Sequence, residues 1–77
     1  MRFRIVWNYP ALVRFYDLHI SEATAVDRAV LRFAEMGEGH LSWVAPYYRL
    51  RAGVHDAVLA LDREERTVTV LRIYRSR

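Results

Sequence analysis

Arg49 and Arg51 stand two positions apart in the run Tyr47-Tyr48-Arg49-Leu50-Arg51-Ala52-Gly53, and the chain later closes on Leu71-Arg72-Ile73-Tyr74-Arg75. In an extended strand, residues two apart project from one face about 6–7 Å from each other. The two guanidiniums therefore form a single cationic edge. Each is a rigid fork of donors that fits the oxygens of a phosphate or a carboxylate. One chemistry open to such a pair is RNA cleavage in which a 2′-hydroxyl attacks the adjacent phosphate. Cations take up the charge that builds on the phosphoryl oxygens, and two further groups accept and donate protons. Arginine stays charged and accepts no proton, so the base must be another residue, with histidine the natural choice. His55 opens the next apolar run, His40 lies in the segment before the arginine pair, and Tyr74 shares a strand face with Arg72, with Arg75 following. The candidate site is Arg49, Arg51, His55, Tyr74 and Arg75. The same arginine pair reads equally well as a solvated sheet face, and less readily as a docking patch for an acidic protein.

Other chemistries lack their residues. With no cysteine, neither a disulfide nor a thiolate metal site is available. The histidines at 19, 40 and 55 lack the spacing and carboxylate company of a zinc site. Gly37 and Gly39 have no following lysine to make a phosphate loop, and neither Ser21 nor Ser42 sits in a nucleophile elbow. No metal or other cofactor is expected. No apolar run reaches the 18 or so residues of a membrane span. The opening Met1-Arg2-Phe3-Arg4 alternates like a strand and does not read as a signal peptide. A soluble cytoplasmic protein, with no membrane partner, is the expectation.

At 77 residues the chain is expected to be one domain, residues 1–77, with a small core. Its hydrophobic content of 53% excludes disorder. All twelve basic residues are arginine. Residues 1–14 hold three arginines and no acid, residues 15–48 two arginines against five acids, and residues 49–77 seven arginines against four acids. The ends are thus basic and the middle acidic, a balance that suits nucleic acid or an acidic peptide.

The elements that must position these residues follow from periodicity. Residues 2–7 alternate as a first strand, with Phe3, Ile5 and Trp7 on one side. Asn8-Tyr9-Pro10 stops it and starts a short helix over 11–19, where Leu12, Phe15, Tyr16 and His19 share a stripe. Ser21 is the expected cap of a second helix over 22–36, with Val26, Ala29, Val30, Phe33 and Met36 on its apolar stripe. Residues 40–46 read as an irregular link. Trp43, Tyr47 and Tyr48, in or beside that link, either stack on bases or plug the space between loop and helices. Strands follow at about 47–52, 55–62 and 67–75, with a bend at Gly53 and a turn at residues 62–66. The second of these is apolar on both faces and reads as an interior strand. Asp56, an acid entering it, either pairs with Arg49 or Arg51 or lies at a wet strand end. The order β-α-α-β-β-β describes an α+β domain, a two-helix hairpin packed on a twisted, mainly antiparallel sheet.

With that order and the strand Tyr48-Arg49-Leu50-Arg51-Ala52-Gly53, the chain resembles the RelE/ParE superfamily, the toxins of bacterial type II toxin–antitoxin pairs. The resemblance covers nearly the whole length. It includes Pro10-Ala11-Leu12 at the start of the helical hairpin and the strands Val58 through Asp62 and Val68-Thr69-Val70-Leu71-Arg72-Ile73. It implies a cognate antitoxin that wraps the helix–sheet groove and covers the basic face. It also implies either a ribosome-dependent mRNA endoribonuclease or a non-catalytic binding protein, such as a gyrase-inhibiting ParE-like toxin or a homodimeric domain without toxicity. In the ribonuclease members the basic strand pair corresponds to Arg49 and Arg51. The family's arginine after the bend falls at Asp56, with His55 at the aromatic position before it. The basic residues after the last strand correspond to Arg75 or Arg77, and Tyr74 is nearest to the catalytic tyrosine.

Overall fold

The structure, a computed structural model, describes residues 2–76. Strand β1 (Arg4–Trp7) leads into helices α1 (Tyr9–Asp17) and α2 (Ile20–Met36), which are followed by strands β2 (Leu41–Val44), β3 (Tyr47–Ala52), β4 (His55–Asp62) and β5 (Thr67–Arg75). The strands form one sheet in the order β1-β5-β4-β3-β2. β1 runs parallel to β5 and every other neighbouring pair is antiparallel. The expected α+β layout is present, a helical hairpin laid on one face of a mostly antiparallel sheet.

It has one strand more than expected. The stretch 40–46, read as an irregular link, contains β2, which pairs with β3 from Leu41 opposite Leu50 to Val44 opposite Tyr47. The helix boundaries also move. Pro10 lies in the first turn of α1, where its missing N–H costs nothing. α1 ends at Asp17 because Leu18 turns extended. The residue capping α2 is His19 where Ser21 was expected: the His19 Nδ1 accepts from the Ser21 backbone N–H at 3.3 Å. Gly37 closes α2 with φ 71°, a left-handed conformation open to glycine at little cost.

The core is a single layer between the helices and one sheet face. Val26, Val30, Phe33 and Ala34 of α2, with Ala11 of α1, pack on Leu50, Ala52, Ala57, Leu59, Val68, Val70 and Ile73. Three residues expected on the helix stripes, Tyr16, His19 and Met36, lie outside this layer. Tyr16 is exposed because α1 turns Ala11 and Phe15 inward, Phe15 meeting Trp7 at a ring-centroid distance of 5.1 Å. Met36, the last residue of α2, overhangs the sheet and is exposed as well. β4 is central in the sheet as expected, but the helices cover only one of its faces.

The uncovered face is shaped by a bulge. Leu59 pairs with Val70, yet the next pair is Val58 with Arg72, so Leu71 is an extra residue in β5. Side chains alternate along a strand, so one extra residue inverts the alternation. Val68 and Val70 face the helices before the bulge and Ile73 does after it. Arg72 and Tyr74 are thereby turned to the uncovered face.

Candidate functional site

The alternation of β3 is the foundation of the site. Leu50 and Ala52 are buried beneath α2, so Tyr47, Arg49 and Arg51 must project from the uncovered face. Directly opposed residues on neighbouring strands point the same way, and the register assembles two rows across the sheet. One runs Ser42, Arg49, Val58, Arg72. The other runs Arg51, Asp56, Tyr74, and His40 extends it on the β2 side. There the Arg51 backbone N–H donates to the His40 carbonyl at 3.0 Å, continuing the β2–β3 pairing by one residue. His40, Ser42, Arg49, Arg51 and Asp56 line an open cleft of about 320 Å³.

Asp56 forms the floor of this cleft. It is only 6% exposed, and a buried carboxylate must be paired or hydrogen-bonded to persist as an ion. Arg51 Nε donates to its Oδ1 at 3.2 Å, and Arg49 Nε lies 3.8 Å from its Oδ2. Two cations on one anion leave a single net positive charge at the cleft mouth. Both arginines turn their Nε edges down toward Asp56. Among the described residues, no hydrogen bond uses an Nη atom of either. Those donors are open to the oxygens of a ligand. Of the alternatives open for Asp56 in the sequence, pairing with the arginines is the one observed.

The five candidate residues divide between the two faces of the sheet. Arg49, Arg51 and Tyr74 lie on the uncovered face, joined by Arg72. His55 and Arg75 are opposed to each other, and His55 to Ala52, which places them on the helix side. His55 is 2% exposed, its Nε2 lying 3.4 Å from Glu22 Oε1 of α2 and its Nδ1 without a hydrogen-bond partner. A strand cannot turn both His55 and its neighbour Asp56 to the same face, so the imidazole is not beside the arginine pair. Arg77 lies outside the described residues. His40, which the candidate set omitted, stands at the cleft instead. Only the pairing of the segment 40–44 with β3 reveals it. Among the aromatics, Trp43 packs on Tyr48 at a ring-centroid distance of 4.8 Å on the helix side of the β2–β3 hairpin, while Tyr47 stands exposed on the cleft side.

Solved structures share this architecture. The chain matches one from the crystal structure of the archaeal RelE–RelB complex of Pyrococcus horikoshii OT3 with a TM-score of 0.80 at 10% identity, over 97% of this chain and 96% of that one. The fold is RelE/ParE-like. A chain of the RelBE2 toxin–antitoxin complex of Mycobacterium tuberculosis matches with a TM-score of 0.67 at 18% identity, over 97% of this chain and 99% of that one. No protein-family model matches the sequence, and no curated protein does. The arginine pair lies on β3, one strand in from the β2 edge of the uncovered sheet face. Among the described residues, no helix is long and apolar enough to cross a membrane.

Proposed function

We propose that this protein is the toxin-like member of a toxin–antitoxin pair, acting in the cytoplasm on ribosome-bound mRNA, with a cognate antitoxin that covers its basic sheet face. The observation that carries this reading is the cleft itself: two guanidiniums with free Nη donors, set on the open face of a RelE/ParE-like sheet. Guanidinium forks of this kind pair with the non-bridging oxygens of a phosphodiester, and Arg72 extends the positive surface along the backbone. Tyr74, one row from Arg72, supplies a hydroxyl on the far side of Asp56. His55 and Arg75 take no part in this reading because they face the helices.

The test is cleavage of mRNA on purified ribosomes, mapped by primer extension. The unmodified protein is expected to cut, and the Arg49→Gln, Arg51→Gln double variant to lose at least about 100-fold in rate, the scale of removing a donor that stabilises transition-state charge. Intact mRNA with the folded, unmodified protein would exclude catalysis. A second reading then stands, a protein of this fold that acts by binding alone. It is favoured by Asp56, which neutralises one of the two arginines where a catalytic site would profit from both. Loss of gyrase supercoiling without RNA cleavage would identify a gyrase-inhibiting protein of that kind.

A further inference from the structure

We propose that His40 is the proton-accepting residue of this cleft, a role that rests on the ribonuclease reading above. In-line attack on phosphorus needs a proton acceptor near the 2′-oxygen and a donor near the departing 5′-oxygen, on opposite sides of the phosphate. The row His40, Arg51, Asp56, Tyr74 has that arrangement. His40 borders the cleft from the β2 edge, Tyr74 closes the row on β5, and Arg51 with its Asp56 anchor lies between them. Neighbouring strands are about 4.8 Å apart, so His40 stands one strand spacing from Arg51 and Tyr74 two, on opposite sides of a phosphate seated over Arg51.

The other histidines are committed elsewhere. His55 is buried against Glu22 on the opposite face, and His19 caps α2. His40 is exposed, and its carbonyl, not its ring, holds the strand pairing. Its imidazole is therefore unencumbered. The charged groups around it are Arg49, Arg51 and Asp56 in the cleft and the Arg32–Glu38 pair, at 2.9 Å, on the side toward α2.

In the step itself, the His40 imidazole takes the proton of the 2′-hydroxyl as the 2′-oxygen bonds to phosphorus. The bond from phosphorus to the 5′-oxygen breaks, and that oxygen takes the Tyr74 phenolic proton. Arg49 and Arg51 hold the non-bridging oxygens throughout. The products are a 2′,3′-cyclic phosphate and a 5′-hydroxyl, and water returns the proton to Tyr74 and removes the one on His40.

The experiment compares the unmodified protein with His40→Gln and His40→Ala under single-turnover conditions on ribosome-bound mRNA across a pH series. RNA affinity and urea midpoints are measured alongside. The expected result is unchanged folding and binding, a rate loss of about 100- to 1,000-fold, disappearance of the acidic limb of the pH profile, and partial recovery of His40→Ala by added imidazole. His40→Gln cutting at the unmodified rate would overturn the role of His40 and leave the ribonuclease reading intact. An unmodified protein that cuts nothing would overturn both.

Discussion

Asp56 governs how the cleft can be used. Replacing it with Asn keeps its size while raising the net charge of the arginine cluster by one. RNA affinity of Asp56→Asn is expected to rise roughly fivefold at low salt, the ~1 kcal/mol of one unit charge at contact distance in water. Cleavage should fall, because Arg51 loses its charged anchor and with it a fixed position. Filter binding and single-turnover rates measured on one preparation would show the split; a parallel change in both would defeat it. Removing the arginines has a different consequence. Arg49→Ala with Arg51→Ala leaves a nearly buried carboxylate unpartnered, at a cost of about 1–3 kcal/mol in unfolding free energy. Urea denaturation measures that loss, and Asp56→Asn in the same background should restore most of it. Much of this was legible in the sequence. The spacing of Arg49 and Arg51 placed them on one face, and alternation alone sets His55 apart from Asp56. That His55 packs on Glu22 was not legible, because the contact depends on how α2 lies across β4.

Among the elements, the β3–β4 hairpin has the strictest demands. Gly53 and Val54 join Ala52 to its partner His55, and Gly53 has φ 68°. A methyl group at Gly53 would also stand 3.3 Å from the Ala25 Cβ of α2. Gly53→Ala is therefore expected to cost about 1–2 kcal/mol from the left-handed backbone alone, measurable as a lowered urea midpoint. An unchanged midpoint would show that this turn relaxes without cost. The bounds of the strands at 47–52 and 55–62 could be read because Gly53 separates a polar alternation in the first from an apolar run closed by Asp62 in the second. β2 escaped notice because four residues between Gly39 and Pro46 carry too little alternation to register, and it is the pairing with β3 that makes them a strand. The bulge at Leu71 was equally hidden. Its only trace is the doublet Val70-Leu71, which breaks an alternating pattern in a strand otherwise regular.

At the scale of the molecule, one face of the sheet is buried under helices and the other presents Arg4, Arg49, Arg51 and Arg72 against Asp56 and Asp62. Electrostatics of this kind is read most directly through salt. If about three phosphates are neutralised, the logarithm of the affinity for single-stranded RNA should fall against the logarithm of salt concentration with a slope of roughly −2. A slope near zero, measured by anisotropy titration, would remove the phosphate-binding reading of the whole face. The strand order has a further effect, on when this protein comes into being. β5 lies between β1 and β4, so Arg4 waits for Thr67 and Asp56 for Tyr74. A nascent chain that has already made its helices and the β2–β3–β4 meander still has no seat for β1, and its Asp56 lacks the Tyr74 that stands opposite it. Residues 67–75 complete the sheet by pairing with both β1 and β4. A ribosome synthesising this protein thus holds a chain whose β1 is unpaired until those residues are free to fold.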